Sequence, residues 1–231
     1  MIKPWKMLPE DMKLPELKPY YRSLYKKRGS LLVKRGFDIM ASLFLLLPAI
    51  PVMAGVAVWI KLDSKGPVFF RQDRVTQYGK TFKICKFRTM EVQPEGTGPR
   101  VTAGKDPRIT GVGRKIRSVR LDEIPQLFNI LTGDMTFVGT RPEVPHYVDQ
   151  YKKEWKATLL LPAGVTSGAS VKYRNEDEQL KELMDKGLSV DEAYMKHILP
   201  EKMKVNLREI NDFTLLHDFG ILLKTLVAVI K

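Results

Sequence analysis

The sequence of 231 residues predicts an α+β protein, mainly α-helical, with a small β-hairpin, a proline-broken re-entrant membrane helix and interfacial amphipathic helices. Three observations carry this reading. An uncharged run of 22 residues, Ile39 to Ile60, holds Pro48 and Pro51 at its middle and has basic residues on both flanks. Two short runs on either side of Gly79 have strand character. From Gly111 the pattern turns helical, and the chain closes on a long apolar stretch. The organisation that follows is an N-terminal interfacial segment over 1–33, the membrane helix over 34–65, and a cytoplasmic catalytic domain over 66–231 ending in an amphipathic helix.

The first thirty residues carry four prolines between Pro4 and Pro19, many bases, and apolar residues without a clean period. The expectation is a segment on the membrane interface, with Trp5, Tyr20, Tyr21 and Tyr25 at headgroup level.

The apolar run is long enough for a transmembrane helix, which needs about 20 residues. It begins too far into the chain for a cleaved signal peptide. Pro48 and Pro51 each remove a backbone donor. Lys26, Lys27, Arg28, Lys34 and Arg35 precede the run, and Lys61, Lys65, Arg71 and Arg74 follow it, so both ends prefer the cytoplasm. A helix that enters, bends at the prolines and returns satisfies both flanks; a kinked spanning helix is the alternative. Asp38, at the mouth of the segment, is expected to pair with Lys34 and Arg35.

Val68 to Arg74 and Thr81 to Arg88, joined by T-Q-Y-G-K, read as the hairpin. Cys85 alternates among apolar residues and reads as a buried small hydrophobe. Gln93 to Lys105, with Gly96 and Gly98, reads as a loop over a site. At the other end Phe213, Leu216, Phe219, Leu223 and Leu226 recur at helical spacing, which suits packing on the core or lying in the interface.

Composition narrows the function. Thirty-nine Lys and Arg against 26 Asp and Glu leave a formal charge of +13. Such a surplus suits nucleic acid, anionic lipid headgroups or a phosphate-rich substrate, and a merely basic soluble surface also satisfies it. One cysteine excludes an intramolecular disulfide framework, and His146, His197 and His217 lack the spacing of a zinc site.

The densest chemistry lies in Leu121 to Glu143, L-D-E-I-P-Q-L-F-N-I-L-T-G-D-M-T-F-V-G-T-R-P-E. Asp122 occupies the position of a helix N-cap, with Pro125 in the first turn. Capping alone would account for it, with Glu123 complementing the dipole and Arg120 a solvated neighbour. The functional reading uses the same placement: a carboxylate held at a helix start stays ionised, attacks phosphorus or binds Mg²⁺. Lys86, Arg88, Arg114, Arg117 and Arg141 are the cations available to offset charge on phosphate.

Four blocks resemble a known family, the bacterial sugar transferases, or monotopic polyprenyl-phosphate phosphoglycosyl transferases. They are K-R-G-F-D at Lys34–Asp38, R-Q-D-R-V leading into F-K-I-C-K-F-R-T-M at Phe82–Met90, D-P-R-I-T-G-V-G-R-K-I-R at Asp106–Arg117, and the Leu121–Glu143 run. The resemblance implies transfer of a sugar 1-phosphate from a UDP-sugar to polyprenyl (undecaprenyl) phosphate with release of UMP, the first membrane step of bacterial glycan assembly. It implies Asp122 as nucleophile and Mg²⁺ ligand, Glu123 as assisting base, and Arg141 on phosphate. Lys86 and Arg88 would line the same pocket, on the cytoplasmic face of a bacterial inner membrane.

The chain departs from the family pattern at three places. Leu47–Pro48 replaces Ser-Pro at the membrane bend, G-T-R-P replaces G-P-R-P at Gly139–Pro142, and Leu161–Glu178 lacks the usual tryptophan while keeping Arg174 and Asn175. That last region, with Arg174 as a substrate contact, bears on the donor sugar. Rival readings are a membrane-attached nucleic-acid binder, for which no motif is present, and a catalytically inactive membrane scaffold. Membrane phospholipid is an expected partner; no interface signature marks a homodimer, which stays open.

Overall fold

The structure is a computed structural model that describes residues 2–91 and 106–230. The expected loop from Gln93 to Lys105 lies outside the described residues. The fold is mainly helical with two small sheets, as the sequence predicts.

The N-terminal residues form three 3-10 turns, Trp5–Met7, Glu10–Met12 and Pro15–Leu17. Each begins at or just after a proline, whose fixed φ suits a first helical position. Several of their apolar residues pack on protein, while Met7 stays exposed. Leu8, Met12 and Leu17, with Tyr21 and Leu24 of α1 (Lys18–Lys26), are buried against Ala157, Leu160, Ile210 and Phe213. Trp5 packs edge-on to Tyr21 at 4.9 Å, and Tyr20 donates a 2.6 Å hydrogen bond to Glu154. The second and third turns bury one apolar residue each, Met12 and Leu17, a pattern that a search for helical period does not detect.

Helix α2 (Arg28–Asp63) runs for 36 residues, about 54 Å at 1.5 Å per residue. Its helical assignment continues through Pro48 and Pro51, although each deletes one rung of the intrahelical ladder. Leu31, Asp38, Ser42, Leu46, Met53, Val56 and Ile60 fall on one buried stripe at steps of three, four or seven residues. The other faces expose Phe37, Phe44, Leu47, Ile50 and Val58. That is the surface of a helix packed on protein along one side and apolar elsewhere, long and apolar enough to cross a membrane.

Both ends of α2 are fastened to the same globular body. At the N-terminal end, Lys34 donates to the carbonyl of Val138 at 2.8 Å. Arg35 donates to the carbonyls of Ile130 and Leu131 at 2.6 and 2.9 Å. At the other end, Asp63 accepts from the backbone N–H of Val112. Asp38 does not pair with Lys34 or Arg35, as the sequence led us to expect. It accepts from the Thr136 hydroxyl at 2.7 Å and from the backbone N–H of Phe137 at 3.2 Å. Lys34 pairs with Asp218 instead. Local proximity lost to strand β3, whose Thr136 hydroxyl and Phe137 N–H both take Asp38 as their acceptor.

Strands β1 (Phe69–Val75) and β2 (Thr81–Phe87) form the expected antiparallel hairpin, Phe69 opposite Phe87 and Val75 opposite Thr81. Its turn places Tyr78 and Gly79 at φ 60° and 76°. Helix α3 (Gly111–Ser118) follows, capped by the Thr110 hydroxyl. A 3-10 turn at Leu121–Glu123 leads to α4 (Gln126–Thr132), which Gly133 ends at φ 88°. Strand β3 (Met135–Val138) then pairs in parallel with β4 (Ala163–Thr166). Between them lie α5 (Pro145–Val148) and a 3-10 segment over Lys153–Leu160.

After β4 come α6 (Gly168–Lys172), α7 (Glu176–Asp185) and α8 (Val190–Ala193). A π-helical turn, Tyr194–Ile198, joins α8 to α9 (Leu199–Asn211). The last helix, α10 (Leu215–Ile230), rests on the β3–β4 pair through a 2.8 Å contact between the Thr225 and Thr166 hydroxyls. Its Leu216, Phe219, Leu223 and Leu226 remain exposed while Ile221 is buried. Of the two placements open to this helix, its apolar face is therefore turned outward.

Candidate active site

A cavity of about 1770 Å³ opens among β1, β2, α3, α4, the segment after β3, and α6–α7. Two close backbone approaches build it. A Cβ on Gly113 would lie 2.1 Å from the carbonyl oxygen of Thr89, so α3 docks against the end of β2 only through a glycine. A Cβ on Gly164 would lie 2.2 Å from the carbonyl oxygen of Gly139, so this pair lets the chain entering Arg141 press against β4. Between α3 and α4, Arg120 takes the left-handed conformation at φ 58°. Such strain in a non-glycine residue costs about 1–3 kcal/mol and collects at functional sites; here it opens the turn Leu121–Glu123, whose Asp122 and Glu123 line the cavity.

Glu123 is the hub. Its Oε1 accepts from Lys86 Nζ at 2.9 Å and from Arg141 Nη2 at 2.6 Å, and Arg120 stands 4.0 Å away. Burial pushes the Glu123 carboxyl upward, but the charges of Arg141 and Lys86 outweigh it and hold the group well below the usual carboxylate range. Glu123 in turn raises the Arg141 guanidinium above its ordinary value. Lys86 is lowered because burial exceeds the pull of Glu123. Arg141 also donates to the carbonyl of Val165 at 3.2 Å, which fixes its fork across the β3–β4 pair.

Asp122 differs in every respect. It is not a helix cap: it lies inside the 3-10 turn, Pro125 holds the cap position of α4, and no side-chain cap bond forms. It is 8% exposed, and its Oδ1 has no hydrogen-bond partner among the described residues. Burial and then the neighbouring Glu123 charge raise its carboxyl, while Lys86, Arg117 and Arg120 draw it back. The expectation that Asp122 sits at a helix cap is therefore corrected: it lies inside the turn, and the net effect of its surroundings is to raise its carboxyl, the neighbouring bases offsetting burial only in part. Proline at 125 cannot donate a backbone N–H, which leaves one fewer candidate donor for the carboxylate.

The predicted cations separate into two groups. Lys86 and Arg141 meet at Glu123, and Arg114, Arg117 and Arg174 line the cavity wall. Arg88 also borders the cavity, but its guanidinium is buried against the carbonyls of Ser64 and Lys65, so it anchors the end of α2. Three residues escaped the sequence reading. Arg120 offered no signal beyond being basic. Gln126 is a buried amide in the cavity wall. Lys202 of α9 is buried against Glu176 at 2.9 Å and the Tyr194 hydroxyl at 3.2 Å, and nothing in its helical neighbourhood predicts a cavity position.

Fold and site define an α+β protein with a basic, carboxylate-bearing cavity and one helix long and apolar enough to cross a membrane. Residues 29–231 match the family of bacterial sugar transferases, and the chain belongs to it. It is 45% identical over 122 residues to UDP-N-acetylgalactosamine-undecaprenyl-phosphate N-acetylgalactosaminephosphotransferase of Aeromonas hydrophila, covering 53% of this chain and 29% of that protein. It is 37% identical over 169 residues to UDP-glucose:undecaprenyl-phosphate glucose-1-phosphate transferase of Escherichia coli K12, covering 71% and 36%. Undecaprenyl-phosphate galactose phosphotransferase of Salmonella typhimurium LT2 is 33% identical over 221 residues, covering 89% and 42%. The matches thus span between about a third and two fifths of these relatives' length.

Proposed function

We propose that the protein transfers a sugar 1-phosphate from a UDP-sugar to undecaprenyl phosphate, on the cytoplasmic face of a bacterial membrane. The observation that carries this is the pairing of Asp122, a buried carboxylate with a partnerless oxygen, with the Glu123–Lys86–Arg141 cluster in one cavity. The names of the relatives, which act on UDP-sugars and undecaprenyl phosphate, supply the substrate class.

The reaction runs in two displacements. An Asp122 oxygen attacks the phosphorus bearing the sugar; an Asp–O–P bond forms, the diphosphate P–O bond breaks, and UMP leaves with the electron pair. An oxygen of the lipid phosphate then attacks the same phosphorus, a P–O–P bond forms, and the Asp122 carboxylate is released. Arg141 and Lys86 offset charge on the phosphate oxygens as each transition state forms. Glu123 holds both cations in place. Its depressed pKa keeps it anionic and makes it a weak proton acceptor until bound phosphate competes for those cations.

The residues would offer a Mg²⁺ ion one ligand, the unpaired hard oxygen Asp122 Oδ1; no cluster of three His, Cys, Asp or Glu is assembled for a metal among the described residues, so the substrate would have to supply the others. Asp122 and the donor's diphosphate would hold it together, where it would neutralise phosphate charge.

Topology supports the membrane placement. One globular body contacts α2 near Lys34–Asp38 and again near Asp63, which supports a reading in which both ends lie on one side of the bilayer and the helix enters and returns. The basic flanks favour the cytoplasm for that side.

The test is UMP release from a panel of UDP-sugars with polyprenyl phosphate and Mg²⁺, comparing the natural chain with Asp122→Asn. We expect release with one sugar, reduced at least about a thousandfold in the variant. Release that survives Asp122→Asn would discard the covalent route, and no release with any sugar would discard the donor class.

A further inference from the structure

Resting on the transferase reading above, we propose that Gln126 receives the phosphate of the lipid acceptor, where the ionic floor of the cavity gives way to an apolar channel. Gln126 is the first residue of α4 and 1% exposed. Neither its Nε2 nor its Oε1 has a partner among the described residues. Exchanging the two amide atoms would not repair this, because both are unpaired. A buried amide that spends both its donor and its acceptor on nothing is rare in folded proteins and calls for a ligand or ordered water to complete it. The side chain lines the cavity, and the other buried, partnerless oxygen in the same segment belongs to Asp122, four residues earlier.

Division of labour around the cavity points to the acceptor rather than the donor. The cations that suit a diphosphate, Lys86 and Arg141, gather at Glu123. The same cavity is also lined by Leu127, Ile130 and Phe137, by Val165, whose carbonyl accepts from Arg141, and by Thr225 and Ala228 of α10. These side chains offer little to a nucleotide sugar. They suit the first isoprene units of a lipid phosphate. Phe137 also meets Phe37 of α2 at 6.3 Å, so this wall adjoins the outward apolar faces of both membrane-facing helices. A neutral amide fits the junction: Nε2 donates to a phosphate oxygen, and Oε1 accepts from a protonated phosphate oxygen or a bridging water.

The experiment uses the full chain in detergent and compares it with Gln126→Leu, which matches the side chain in bulk without its polar atoms. Three quantities are read: equilibrium binding of polyprenyl phosphate, the burst of UMP released from donor alone, and the thermal midpoint. We expect the acceptor Kd and KM to rise about 10- to 100-fold, the loss of a hydrogen bond to a charged group. The burst should fall by less than about threefold, and the midpoint should hold or rise because an unpaired buried amide is gone. An unchanged acceptor Kd overturns the proposal, even if the natural chain releases no UMP and the transferase reading has failed. A burst that falls as far as acceptor binding also overturns it and assigns Gln126 to the donor. If Gln126→Leu does not fold, Gln126→Met carries the same comparison.

Discussion

Glu123 accepts hydrogen bonds from Lys86 at 2.9 Å and Arg141 at 2.6 Å, while Asp122, the residue before it, keeps a buried oxygen without a partner. Two adjacent carboxylates are thereby driven apart in acidity, Glu123 downward and Asp122 upward. One is held as a countercharge to two cations, and the other is buried with an oxygen left unpaired. Their removal should have opposite effects on stability.

Asp122→Asn relieves a buried, incompletely paired charge, so its thermal midpoint at pH 7.5 should equal or exceed that of the natural chain, at about 0–1 kcal/mol. Glu123→Gln strands two buried cations and should cost about 3–5 kcal/mol. The sign with pH follows. Glu123 has a depressed pKa, so its contribution is complete above its unfolded value near 4.5 and is lost only as pH falls through its lower folded value. Denaturation of both variants in detergent decides this; a destabilised Asp122→Asn would mean that the carboxylate is paired.

Glu209 gives a second pH signature. Burial raises its carboxyl to about 7, against a weaker opposing hydrogen bond from the Gly168 N–H. The folded pKa exceeds the unfolded value of 4.5, so stability is greatest below that value and falls as pH rises through about 7. Glu209→Gln should therefore gain about 1–2 kcal/mol over the natural chain at pH 8.5 and nothing at pH 4.5. Equal differences at both pH values would refute the shift.

Asp38→Ala removes the acceptor for the Thr136 hydroxyl and the Phe137 N–H. Two donors lose a charged partner, so we expect a loss of about 2–4 kcal/mol in denaturant titration. Thr136→Val, which drops one of the two bonds, should lose less. A loss below about 0.5 kcal/mol in Asp38→Ala would mean that water replaces the carboxylate.

Gly164→Ala forces a methyl group to within 2.2 Å of the Gly139 carbonyl and 2.3 Å of its nitrogen. The β3–β4 pair must separate, and Arg141, two residues beyond Gly139, moves with it. We expect kcat/KM for donor to fall at least about tenfold, because misplacement by about 1 Å is costly at a positioned cation. Normal kinetics in a folded variant would show that Arg141 is not positioned through this contact.

Phe219 and Leu226 expose apolar surface on α10. Replacing both with Glu should lower binding to anionic phospholipid vesicles at least about tenfold, through lost apolar contact and added repulsion. Vesicle flotation tests it; unchanged binding would leave α2 as the sole anchor.

Sequence by itself determined the elements whose cause is local. Apolar length and paired basic flanks identify α2, alternation and a turn glycine identify the hairpin at Phe69–Phe87, and the Asp122–Glu123 and Arg141 segments identify the family. Only tertiary structure decided what depends on distant partners. Asp38 turned from Lys34 to strand β3, because β3 brought two unfilled donors to it. Tyr21 and Leu24 entered a core whose other half, Ile210 and Phe213, lies nearly two hundred residues away. The parallel pair β3–β4 has strands of four residues, too short for a period to register, and it exists because Gly139 and Gly164 let two backbones touch. Asp122 and Glu123 stand side by side in the sequence with equal standing. Their different neighbours, Lys86 from β2 and Arg141 from beyond β3, made one a countercharge and left the other with an unpaired buried oxygen.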